Sequence, residues 1–195
     1  MSDTTCFIPS ARRLVTSVLA VALLAACDGG GMPGGGNASA TFDVDGSKGS
    51  WTLEPTPAEG EAEGDAQYRR HGVATGVLLR AHDAARKLEL SGTFLGEPGD
   101  PVFVALRVSY DDGDGNVFAR APALDAQQDA GVEGIRWQRL ELDHEAGTGR
   151  ATVEIDVPVC ADVYSGPLEY ETVCHQVEGR FDTPLVRSST LRLMR

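Results

Sequence analysis

Residues 151–159 read ATVEIDVPV. Ala151, Val153, Ile155, Val157 and Val159 fall on one side of an extended chain, and the polar residues and Pro158 fall on the other. Such strict alternation marks a strand with one dry and one wet face. A second stretch, VFVALRVSY at 102–110, predicts that Val102, Val104, Leu106, Val108 and Tyr110 share one face. Leu88, Leu90 and Phe94 make a shorter set around Gly92.

Working outward, further strands are expected at Ala40–Val44, Ser50–Glu54, Val73–Arg80, Val117–Arg120, Ile135–Leu142, Val177–Phe181 and Thr190–Leu193. No helix of useful length can be read after residue 40. The connections HDAA (82–85), DDGDGN (111–116) and DHEAGTG (143–149) look like hairpin turns, in which Asp-Gly pairs supply positive φ. Successive hairpins favour antiparallel pairing. The expected fold is an all-β, antiparallel β-sandwich of about eight to ten short strands, with a lipocalin-like β-barrel as the alternative. It forms a single domain over residues 41–195. Two stretches do not fit strands. Pro55–Asp65 is an acidic, apolar-poor loop, and residues 122–134 form a long connection with room for one helical turn.

The chain carries a formal charge of -12 with 42% hydrophobic residues. That apolar share is enough to bury a core. A surface this acidic repels phosphate backbones, so nucleic acid is excluded as a partner. It repels anionic headgroups as well, so a basic-patch mode of membrane attachment is excluded.

The N-terminus supplies another route to a membrane. A polar stretch ends in Arg12-Arg13, and an uncharged run, LVTSVLAVALLAA, follows from Leu14 to Ala26. As a helix this run is roughly 20 Å long, against the roughly 30 Å of a bilayer core. It therefore reads as a secretory signal peptide, residues 1–26, and not as a permanent span. The run ends in Leu24-Ala25-Ala26-Cys27, which resembles the lipobox of bacterial lipoproteins. The resemblance implies a diacylglyceryl group on the Cys27 thiol, cleavage before it and acylation of the new amino terminus. It also implies a protein held by lipid to the cell envelope, facing the periplasm. Asp28 resembles the inner-membrane retention signal of enteric bacteria, which points to the inner membrane in preference to the outer. Residues 27–40 then serve as anchor and Gly-rich linker, with a reach of roughly 20 Å. The opening of the domain, TFDVDGSKGSWTLEP, resembles the start of various secreted bacterial β-sandwich proteins through Phe42, Val44, Asp45, Gly46 and Trp51. That likeness implies fold alone.

Four cysteines are present. Cys6 leaves with the signal peptide and Cys27 takes the lipid. Cys160 and Cys174 remain, beyond an export step that permits oxidation. Gly166-Pro167 supplies a turn between them. A disulfide is expected, clasping a hairpin-like excursion at its neck.

Other constellations are thin. Asp111, Asp112, Asp114 and Asn116 put oxygen side chains on one turn, and Asp112, Asp114 and Asn116 are weak calcium candidates. The glycine and bidentate glutamate of an EF-hand are replaced by Val117 and Ala123. His71, His82, His144 and His175 show no metal-ligand spacing. Ser50 and Ser165 lack a nucleophile elbow, and GGGMPGGG lacks the lysine and helix of a phosphate loop. No catalytic residue and no cofactor site is assigned. The leading expectation is a non-enzymatic binding or scaffolding domain whose partner is an unknown protein, met by strand addition, or an envelope polymer. A hydrolase of envelope polymers is the alternative, and a small-ligand carrier the third.

Overall fold

The structure is a computed structural model and describes residues 37–56, 63–96, 102–120, 131–166 and 169–189. The described residues are all-β, with no helix. In chain order the strands are β1 (Ser39–Val44), β2 (Ser47–Lys48), β3 (Ala66–His71), β4 (Ala74–Asp83), β5 (Arg86–Leu95) and β6 (Val102–Asp111). They continue as β7 (Val117–Arg120), β8 (Gly131–Val132), β9 (Ile135–Asp143), β10 (Thr148–Gly166) and β11 (Glu169–Arg187). Residues 1–26, read as a signal segment, Cys27 and most of the expected linker lie outside the described residues, as do residues 121–130 and Thr190–Leu193. Ser39 and Ala40 belong to β1, so the domain begins slightly before residue 41.

Pairing is antiparallel except where β3 meets β11, Val186 lying beside Gln67 and Arg187 beside Tyr68. The ladders form a closed circuit from β11 through β3, β4, β5, β6, β7 and β10 back to β11. Its slender joint is a single bridge between Ala119 of β7 and Cys160 of β10. A sandwich joined at its edges and a flattened barrel share this circuit. β1 continues the outer edge of β11, from Ser39 opposite Asp182 to Val44 opposite Val177.

One apolar core follows from the alternation. Ala151, Val153, Ile155, Val157 and Val159 are all buried, as are Leu88, Leu90 and Phe94. Phe42 packs edge-on against Trp51 and against Phe181, and the Trp51 indole donates to the Phe42 carbonyl at 3.0 Å. Gly179 lies directly opposite Phe42, and a Cβ there would sit 2.3 Å from the Phe42 ring. Glycine is what lets that ring lie over the neighbouring strand.

Several expectations need correction. The strands are not all short, since β10 and β11 have 19 residues each. Val102 and Val104 do not share the buried face of Leu106, Val108 and Tyr110, and are 59% and 41% exposed. The cause is a bulge: Thr93 pairs with Ala105 but Phe94 pairs with Phe103, leaving Val104 as the extra residue. One inserted residue reverses the parity of the strand beyond it. Phe103 turns inward instead and stacks on Trp137 at 5.1 Å. Ser50–Glu54 is not a strand and makes only an isolated bridge, Thr52 to His82. The tail of the 122–134 connection pairs as β8. β3 was not expected. Its polar AQYRRH carries one large apolar anchor, the fully buried Tyr68, whose hydroxyl donates to the Asp143 carbonyl at 3.0 Å.

Candidate binding surface

Beyond Val157, β10 and β11 outrun the strands beside them. The last pairing on the outer edge of β10 is at Cys160, and β1 reaches β11 only from Val177. From there the two strands hold chiefly to each other and form a two-stranded arm. Its inward parity carries Ala161, Val163 and Val173, which pack on the rim of the core. Its outward parity is a column of directly opposed pairs.

The column begins with Pro158 opposite Gln176, followed by Cys160 opposite Cys174. Those two cysteines are disulfide-bonded as expected, with Cα atoms 4.1 Å apart. The bond clasps the hairpin excursion near its base, and the ladder continues past it to Gly166 opposite Glu169. Asp162 lies opposite Thr172, whose hydroxyl donates to the carboxylate at 2.7 Å. Tyr164 then lies opposite Tyr170, ring centroids 5.7 Å apart and nearly perpendicular. The rings are 62% and 70% exposed, large apolar surface held in the open by a crosslinked frame.

His175 sits at the base of the arm on the inward parity. Its ring meets Phe118 edge-on at 4.3 Å and Tyr110 at 5.5 Å. Its Nδ1 lies 2.5 Å from Asp45 Oδ2, and Asp45 Oδ1 accepts the Gln176 backbone N–H at 2.8 Å. Asp45 occupies the β1–β2 turn, where it and Gly46 both have positive φ. The His175 hydrogen bond, more than any other contact, holds the Asp45 carboxyl below the usual carboxylate range. This pair ties the β1 hairpin to the root of the arm, and His175 acts there as a structural clasp.

In the acidic turn at 111–116 the Asp111 and Asp112 carboxylates accept from the turn's own N–H groups. Asp111 Oδ1 accepts the Gly113 N–H at 3.0 Å. Asp112 Oδ1 accepts the N–H groups of Asp114 at 2.8 Å and Asn116 at 3.2 Å, while its Oδ2 accepts the Asn116 amide at 2.8 Å. Those bonds, the Asn116 amide foremost, hold the Asp112 carboxyl low. Asp112, Asp114 and Asn116 therefore build a hairpin turn. Among the described residues no group of three or more His, Cys, Asp or Glu side chains is arranged to hold a metal ion.

The remaining histidines are dispersed. His82 Nε2 lies 3.0 Å from Asp65 Oδ1, and Asp65 Oδ2 accepts the Glu54 N–H at 3.0 Å. Both line an open polar cleft of about 240 Å³ with Thr52, Thr56 and Glu63. Of the acidic loop beginning at Pro55, residues 57–62 lie outside the described residues. Its far end is pinned by Asp65 and by Glu63, which pairs with Arg80 at 3.4 Å. His71 is exposed at the end of β3, and His144, in the β9–β10 turn, leans on Tyr68 at 5.7 Å. Ser50 is exposed, and the Ser165 hydroxyl donates to the Glu169 carbonyl at the tip of the arm.

Comparison with protein-family models, with curated proteins and with solved structures finds no match. Sequence reasoning missed Tyr164 and Tyr170. The usable signal was the parity of Val157 and Val159 carrying on through Ala161 and Val163, which extends the strand past Cys160 and turns Tyr164 outward.

Proposed function

We propose that this chain is an exported bacterial lipoprotein, anchored by lipid on Cys27, whose β domain is a non-enzymatic binding module at the cell envelope. The anchor reading rests on the charged, then apolar, then Leu24-Ala25-Ala26-Cys27 sequence. The crosslinked Cys160 and Cys174 suit the same address, since disulfides persist in oxidising compartments. The observation that carries the binding half is the arm, a stapled ribbon that spends two large rings on solvent. Contiguous exposed apolar surface rimmed by polar residues marks interaction sites. The retention reading of Asp28 makes the inner membrane, on its periplasmic side, the preferred location.

Two measurements test the proposal. Intact mass of the mature protein is expected to show a chain beginning at Cys27 with diacylglyceryl and acyl additions, and Cys27→Ser to leave an unprocessed, unlipidated precursor. A plain Cys27, or cleavage elsewhere, defeats the anchor reading. A photo-crosslinking amino acid placed at Tyr164 or Tyr170 in living cells is expected to yield a discrete adduct. Absence of any adduct at both positions defeats the binding reading.

A further inference from the structure

The partner's chemistry can be read from the face that carries the two rings. Below the tyrosines the outer face of β10 and β11 carries Asp162, Asp156, Glu178 and Glu154, with no lysine or arginine until Arg180, which lies opposite Glu154 and pairs with it at 3.7 Å. On the outer face of β10 and β11, Asp162 stands one pair below Tyr164 and Tyr170. Where that face runs down onto the body, Glu178 is directly opposite both Asp156 and Asp43. Directly opposed like charges are unfavourable in a sheet. The row has a single cation, Lys48 opposite Asp43 at its far end. Gln176 gives Asp156 one amide hydrogen bond at 2.6 Å.

Taking the domain to be a binding module, we infer that the outer face of the arm docks an extended, cationic segment of a partner protein. Its arginine or lysine side chains lie over Tyr164 and Tyr170 and reach toward Asp162 and the Asp156–Glu178–Asp43 row. Aromatic faces attract guanidinium and ammonium groups through the ring quadrupole. The carboxylates provide charge-assisted acceptors beside them. Other occupants fit less well. A purely apolar partner would cover the rings but desolvate the charged Asp162 and Asp156 carboxylates. A second copy of this chain is itself strongly acidic, with a formal net charge of -12 over the full sequence. Anionic lipid is repelled for the same reason.

The test uses the full-length, detergent-extracted protein and a fluorescent 12-residue peptide alternating arginine and threonine. The peptide is expected to bind, more weakly as salt rises. Tyr164→Ser with Tyr170→Ser is expected to weaken binding at least tenfold, and Asp156→Asn with Asp162→Asn several-fold. Glu145→Gln removes a charge in the β9–β10 turn, far along β10 from the tip, and is expected to leave binding unchanged. A glutamate-for-arginine peptide should not bind. Equal binding to the wild type and all variants would mean attraction by overall charge and would overturn the inference, as would failure of the arginine peptide to bind. The adduct formed in cells at Tyr170 separates this inference from the broader reading. An adduct mapped to a Lys- or Arg-bearing stretch supports both. An adduct on a neutral or acidic segment, or on a glycan, overturns the cationic partner and leaves the binding module standing. No adduct at either tyrosine overturns both.

Discussion

Cys160 and Cys174 are direct partners across the β10–β11 ladder, and paired residues continue on both sides of their bond. The crosslink therefore fixes the register of the arm as well as limiting the unfolded chain. Closing a loop of about 15 residues contributes roughly 3 kcal/mol in the chain-entropy account. Cys160→Ala with Cys174→Ala is expected to lower the unfolding free energy by about 2–4 kcal/mol in urea titrations. Amide exchange should quicken most at Ala161–Tyr164 and Glu169–Val173. An unchanged urea midpoint would contradict this account.

The exposed rings should matter little to stability. Tyr164→Ser with Tyr170→Ser trades solvent-facing surface, and such changes usually stay within about 0.5 kcal/mol per site. By contrast, Phe181→Ala opens the core beside Phe42 and should cost about 3–5 kcal/mol. Thermal melts of the two variants check the contrast. A collapse of the tyrosine variant would show that the arm props up the fold.

Acid should loosen the root of the arm. The Asp45 carboxyl titrates below its ordinary value of 3.8 because it accepts from His175. A depressed carboxylate pKa contributes stability that is present above the unfolded value and lost as pH falls through the folded one. Asp45 is about half exposed, at 49% of its side chain, so the effect belongs with surface pairs, about 1 kcal/mol or less. The difference between wild type and Asp45→Asn in urea melts should be largest near neutrality and shrink below about pH 4. A difference that grows on acidification would reverse the sign and refute the assignment.

Asp112 should behave as a turn residue. Asp112→Ala removes the acceptor for two backbone N–H groups and one amide, and should cost about 1–2 kcal/mol. The loss should be the same in millimolar calcium as in chelator. A tight site at a hundredfold excess of calcium would add about 2.7 kcal/mol to the wild type alone, which melting curves would reveal.

Ala84 is held at φ 52° in the β4–β5 turn. An L-residue with a Cβ is disfavoured there, and glycine is not. Ala84→Gly is expected to raise stability by about 0.5–1 kcal/mol, against the usual loss on introducing glycine. A lower melting temperature would show that the turn relaxes to another geometry.

The strands of the core were legible because burial leaves a period of two, as at 151–159. Legibility failed where something non-periodic intervened. The bulge at Val104 slips the phase, so an unbroken pattern in VFVALRVSY hides a reversal of faces. β3 escaped notice because one hydrogen-bonded Tyr68, and no alternating set, holds it in place. The clasp between Asp45 and His175 joins residues 130 positions apart, a distance over which neither carries any local mark of the other. Cys160 and Cys174 were legible because reading Cys6 as part of a signal peptide and Cys27 as the lipid site leaves only this pair.

The pairing of β1 with β11 has a bearing on when this chain can fold. Val44 finds its partner Val177, and Ser39 its partner Asp182, only once the chain has been made through β11. At about 5–20 residues per second of synthesis, that delay is on the order of ten seconds. Hairpins such as β4–β5 close in microseconds, but until β11 arrives the first strand has an empty edge and Phe42 lacks its contact with Phe181. Until then the circuit through β11 stays open. For a polypeptide that must pass through a membrane before it folds, as the proposed signal segment requires, β11 acts as a timer that withholds closure of β1 until it has followed β1 across.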